Sequence, residues 1–197
     1  MSDLIEPPPA ALPGAERCDL CGVRLAEDHL HLLHVADGRL FCTCAACALL
    51  LGHRTDGRYR LAPDRVRRLA AFSMSDAQWD ALGVPVDLAY FHWSTRLGRR
   101  VGFYPSPFGA TECLLPLEAW DEIAVANPIL DTAEPDVEAL LVNRTRGQRE
   151  AYLAPIDACY RLVGVVRTRW SGFTGGDVWA AVDRFFAELR SRCEVAA

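Results

Sequence analysis

Apolar positions near the C-terminus recur at helical spacing. Val178, Val182, Phe185, Phe186 and Leu189 form one stripe, which predicts a helix over Asp177 to Arg192. A second helix is expected from Pro155 through Arg167, apolar at Ile156, Tyr160, Val163 and Val166. Pro116 suits the first turn of a third, Leu117 to Ala126, with Trp120 and Ile123 on one face and Asn127-Pro128 ending it. Ser75-Asp76-Ala77-Gln78 has the capping-box pattern and opens a short helix with Trp79 and Leu82, closed by Gly83 and Pro85. Between these lie stretches rich in β-formers: Val86 to Trp93, Val101 to Tyr104 and Thr111 to Leu115. Gly98 marks the first turn, and Pro105, Pro107 and Gly109 the second loop, so the block is expected to be an antiparallel meander. A polar linker, Asp131 to Asp136, follows the Trp120 helix. Val137 to Val142 and Glu150 to Ala154 flank the basic turn Arg144 to Arg149 and predict a hairpin.

The N-terminal pattern is shorter in period and dominated by cysteine. His29 to Leu33 and Leu40 to Cys42 predict two strands, with Asp37-Gly38 as the turn. Cys44 to Leu51 predicts a helix ended by Gly52. Residues 2–17 contain Pro7, Pro8, Pro9 and Pro13 and few large apolar groups, as a disordered leader would. The expected organisation is a leader over 1–16, a metal module over 17–53 and an α+β domain over 54–197. The fold class is α+β: a small treble-clef-like zinc module, then an antiparallel sheet with flanking helices.

Composition narrows the function classes. Of 197 residues, 51% are hydrophobic and 24% charged, the balance of a globular protein. The net charge of −5 argues against a general nucleic-acid or anionic-membrane binder. All 21 basic residues are arginine, so a Walker A phosphate loop and a lysine Schiff base are both excluded. No apolar run nears the ~20 residues needed to span a bilayer, and the acidic start is unlike a signal peptide. A cytoplasmic, reducing location is the expectation, and there clustered cysteines hold metal more often than they form disulfides.

Five of the eight cysteines lie between residues 18 and 47. Cys18/Cys21 and Cys44/Cys47 are two C-x2-C pairs, and such spacing lets both sulfurs of a knuckle reach one ion. Four thiolates complete a closed tetrahedral site, so these four are the candidate ligands, with zinc expected and iron the alternative. Free structural thiols are the competing explanation. Gly22 permits the tight turn after Cys21, and a helix start near Cys44 favours thiolates. Ala48 stands where rubredoxin-type knuckles have glycine, which weighs against iron. Cys42 fits a ligand, supporting or packing role alike, and His29, His31 and His34 are left outside the expected ligand set as strand histidines.

Other features are weighed against plainer explanations. The arginines from Arg54 to Arg68 would suit phosphate contacts, yet a solvated connector with one strand at Tyr59 to Leu61 is preferred. Trp170 to Trp179 holds glycines ahead of a helix and is read as an interhelical turn rather than an anion site. His92, Cys113 and Cys159 lack any nucleophile signature and are read as packing residues. Glu112, Glu118, Asp121 and Glu122 are expected to be helix-start and surface acids.

Several strings, CDLCG, CTCAAC, GRYRLAPDRVR, FYPSPFGATECLLPLEAW, EALLVNR and YRLVGVVRTRW, resemble one uncharacterised bacterial family whose genes stand near nickel–iron hydrogenase genes. The resemblance spans about residues 16–192. It implies an accessory role in hydrogenase maturation, assembly or electron transfer; the expectation is a non-enzymatic interaction protein with a hydrogenase subunit or maturation factor as partner. A rubredoxin-like iron electron carrier and a nucleic-acid-binding finger are the alternative expectations.

Overall fold

The computed structural model describes residues 16–54, 56–170 and 177–196. The expected leader lies outside the described residues except for Glu16, as do residues 171–176 of the glycine-rich string.

The hairpin forms as β1 (Leu30–His34) and β2 (Arg39–Thr43), in antiparallel register. Its turn depends on two local features. Gly38 takes a positive φ of 71°, which costs a glycine little, and the Asp37 carboxylate accepts the Arg39 N–H at 3.0 Å. Helix α1 (Ala45–Gly52) follows. Gly52 is its last residue rather than its terminator. A β-carbon there would sit 3.3 Å from both Leu32 and Leu61 side-chain atoms, so glycine lets the helix end lie close on the sheet. The third strand is β3 (Tyr59–Leu61), which pairs antiparallel with β1 and gives the order β2-β1-β3. The small sheet therefore reaches past residue 53, the expected end of the module.

The remainder builds a seven-stranded sheet. Its strands are β4 (Arg67–Leu69), β5 (Leu88–Ser94), β6 (Arg99–Ser106), β7 (Gly109–Cys113), β8 (Glu138–Asn143), β9 (Glu150–Pro155) and β10 (Glu194–Ala196). Their order is β10-β4-β9-β8-β5-β6-β7, antiparallel except for β10 on β4. The expected hairpin forms in full, from Glu138↔Pro155 to Asn143↔Glu150. Every residue of β8 and β9 is buried. Central strands covered on both faces need apolar side chains on both, which explains a continuous Ala-Leu-Leu-Val run in place of alternation.

Four helices supply the cover: α2 (Asp76–Ala81), α3 (Leu117–Ala126), α4 (Ile156–Arg169) and α5 (Val178–Arg192). On one face Tyr90, Leu141 and Tyr152 pack with Cys159, Leu162, Val182 and Phe186 of α4 and α5. On the other, Phe91, Leu140 and Leu153 pack with Trp79 of α2 and Trp120 of α3. Helix α2 has the predicted capping box, with the Ser75 hydroxyl accepting the Gln78 N–H and the Gln78 side chain accepting the Ser75 N–H. No helix among the described residues is long and apolar enough to cross a membrane.

Some details differ from the sequence expectation. Strand β7 ends at Cys113 rather than Leu115, and Leu114 beyond this edge strand is exposed. Pro105 lies inside β6, past the last pair with β5 at Tyr90↔Phe103, where a missing N–H costs no ladder bond on that side. The basic connector contains β4 as well as β3.

The cysteine module is fastened to the larger sheet. Leu33 and Leu40 join the core beneath α4, the Tyr160 hydroxyl donates to the Gly38 carbonyl at 3.3 Å, and Arg60 faces the buried Asp136 carboxylate at 3.2 Å.

Candidate metal centre

The first knuckle is shaped by its backbone. Cys18 N–H donates to Val23 O at 2.8 Å, Gly22 N–H returns to Cys18 O at 2.8 Å, and Gly22 adopts a φ of +76°. Arg17 donates to Gly22 O at 2.9 Å and locks the turn from outside. Asp19 then docks the knuckle on β2. Its N–H donates to Cys42 O at 2.9 Å, and its carboxylate accepts the Cys42 N–H at 2.7 Å. That clamp carries Cys18 and Cys21 to the start of α1. There Cys44 occupies the N-cap with extended backbone, and Cys47 lies one turn further on.

The four sulfurs converge. One ligand atom from each of Cys18, Cys21, Cys44 and Cys47 lies within 4.8 Å of all the others. The Cys21 and Cys44 sulfurs are 3.7 Å apart. A tetrahedron with bonds of roughly 2.3 Å has edges of about 3.8 Å, so this separation already suits one shared cation. No disulfide joins them. Cys18 is buried, Cys21 exposed, and Cys44 and Cys47 lie between.

The electrostatics fit a cation-ready cluster. Burial opposes ionisation of Cys18, but backbone N–H groups of Cys44, Leu20 and Cys21 outweigh it and bring the thiol down to about 6. Cys47 moves the other way, to about 12, because its neighbour Cys21 and then burial disfavour another negative charge. The net shift at Cys21 is also upward: the Val23 N–H favours its thiolate, but Cys18 and Cys44 beside it oppose a further charge. One thiolate is thus welcome and its neighbours repel. A divalent cation held by the four sulfurs would remove that repulsion and displace the remaining protons.

The residues left outside the expected ligand set separate into two groups. His34 pairs with Asp37 at 2.8 Å across the hairpin turn. His29, His31 and Cys42 form a second cluster, one ligand atom of each within 4.8 Å of the others. The signal for it was present in the sequence. His29 and His31 are two apart on extended chain and share a face, and the hairpin register sets Cys42 directly opposite His31.

The other sequence candidates do not assemble into a site. Cys113 packs on the α2–α3 face and Cys159 on the α4–α5 face, so the sheet separates them. Burial pushes both thiols up, and pushes the His92 imidazole down. His92 stacks on Phe103 with ring centroids 5.9 Å apart. Much of the arginine-rich stretch is spent on carboxylates: Arg54 on Asp56, Arg60 on Asp136, Arg65 on Glu134 and Glu138, and Arg67 on Glu138. In the basic turn, Arg144 and Arg149 pair with Asp76, and Arg146 with Asp183. Glu112 pairs with Arg99 at 2.9 Å.

A family model described as a family of unknown function, DUF5947, matches residues 17–193. The chain belongs to this family. The matched span of DUF5947 begins one residue before Cys18 and takes in both cysteine pairs and the second cluster. No curated protein and no solved structure matches the chain.

Proposed function

We propose that this DUF5947 chain is a zinc-stabilised, non-enzymatic interaction protein in which Cys18, Cys21, Cys44 and Cys47 hold one structural ion. The observation that carries this reading is the convergence of four sulfurs from two chain segments, with an edge of 3.7 Å. Four protein thiolates fill a tetrahedral shell and leave no position for a substrate, the pattern of structural zinc. Such a site contributes folding free energy directly, and here it would hold the knuckle to α1. Zinc is preferred to iron because Ala48 replaces the glycine of a rubredoxin-type second knuckle.

The interaction role draws support from the surface beside the centre. Leu49 and Leu50 on α1 are 67% and 71% exposed, and Val23 of the knuckle is exposed as well. A hydrogenase subunit or maturation factor is the proposed partner, on the strength of the sequence resemblance alone. Replacing Leu50 by Glu should then weaken capture of such a partner.

Elemental analysis of the full chain, purified without chelator, tests the metal reading. Zinc should be present, and a Cys44→Ser variant should lose one equivalent. A visible thiolate-to-iron band in the fresh protein would decide for the electron-carrier alternative. Protein lacking bound metal when purified with zinc supplied would defeat both.

A further inference from the structure

The hairpin carries more metal-binding chemistry than the four-cysteine centre uses. His29 Nδ1 lies 3.1 Å from the Ala26 carbonyl oxygen. A carbonyl only accepts, so Nδ1 holds a proton, and in the neutral ring Nε2 keeps its lone pair. That Nε2 is buried without a hydrogen-bond partner, on a side chain only 8% exposed. Its nearest charged neighbour is the Glu16 carboxylate at 3.5 Å. In the neutral ring that lone pair faces a carboxylate oxygen, a repulsive contact that either a proton or a metal ion on Nε2 would relieve.

His31 has the same polarity. Its Nδ1 lies 2.9 Å from an Asp157 carboxylate oxygen at the start of α4. The carboxylate accepts the Nδ1 proton and, in the neutral ring, leaves the Nε2 lone pair available, the arrangement in which a carboxylate behind the ring orients a metal-bound imidazole. The two rings lie 4.7 Å apart, and Cys42 stands opposite His31 across the hairpin. One ligand atom from each of the three lies within 4.8 Å of the others.

We propose that His29, His31 and Cys42 form a second metal site, separate from the four-cysteine centre, with Glu16 placed to complete it and Asp157 as its positioning residue. Two imidazoles with a thiolate suit a borderline divalent cation, zinc foremost. Three protein donors with a mobile or carboxylate fourth position give a more open shell than four thiolates. Asp157 belongs to α4, so the second ion would tie the hairpin to the larger sheet.

The test is titration of the full, reduced, metal-free chain with Co²⁺, read by absorption and by stoichiometry. The wild type should bind two equivalents. Cys42→Ala should bind one and retain the spectrum of the all-thiolate centre. Cys44→Ser should retain the second, weaker thiolate spectrum, so failure of the four-cysteine reading and failure of this one are distinguishable. Asp157→Asn, which alters no proposed donor atom and guards against misfolding of the cysteine variant, should weaken the second equivalent about 10- to 100-fold. A wild type that saturates at one equivalent overturns the proposal. So does a Cys42→Ala variant that still binds two, or an Asp157→Asn variant whose two affinities are both unchanged.

Discussion

Glu138→Gln should destabilise the protein without touching a metal ligand. The Glu138 side chain is fully buried on β8 and accepts five hydrogen bonds. Arg65 donates at 3.1 and 3.2 Å, Arg67 at 3.3 Å to each oxygen, and the Glu134 N–H at 2.8 Å. Wherever the glutamine places its NH₂, at least two of these donors face another donor. Removing one partner of a buried ion pair costs roughly 3–5 kcal/mol. Arg65 is 45% exposed and regains water, whereas Arg67 is 16% exposed and does not, which favours the lower end, about 3 kcal/mol. At ~2–4 °C per kcal/mol for a chain of this size, Tm should fall by about 6–12 °C. Burial opposes the Glu138 charge, but the Arg65 bonds, the Glu134 N–H and Arg67 outweigh it and hold the carboxyl below its usual value. Its contribution is therefore complete above the ordinary glutamate pKa of about 4.3 and lost as pH falls through the lowered folded value. The gap between wild type and variant should be constant near neutrality and narrow in acid. Urea and thermal unfolding of the metal-loaded chain, with the exposed Glu134→Gln as control, measure it. A loss below about 1 kcal/mol at neutral pH, the ceiling for a surface pair, would refute the reasoning.

Three further outcomes follow from the same structure. Gly102→Ala should cost about 1–3 kcal/mol in urea unfolding, because its new methyl would lie 2.7 Å from both Cys113 Sγ and a Phe91 ring carbon; a neutral result would mean that the β5–β6–β7 packing is looser than described. Cys113 and Cys159, buried and with raised thiol pKa values, should resist alkylation in the folded chain and react only on unfolding, which mass spectrometry of labelled peptides checks. Zinc affinity should rise with pH, since Cys21 and Cys47 are held protonated and the metal must displace their protons; equal affinity at about pH 6 and 8 by competition with a chelator would contradict the described cluster.

Local features were legible from the chain alone because each depends on neighbours a few residues away. The C-x2-C spacing, the Asp37-Gly38 turn, the Ser75 capping box and the Val178–Leu189 stripe each state their own geometry, and α5 buries all five residues of that stripe. The β8–β9 hairpin belongs here too, since its arms flank one short turn. Strands β4 and β10 were not legible: Arg-Arg-Leu and Glu-Val-Ala carry no strand signal, and each becomes a strand only through a partner distant in sequence. The same holds for the sites. Two cysteine pairs announce one centre by spacing. The His29–His31–Cys42 cluster can be read from the hairpin register, but only the packing of α4 brings Asp157 to the His31 imidazole. Sequence determined the pieces that close over a few bonds, and tertiary structure decided which of them meet, because register and packing are settled by burial across the whole sheet.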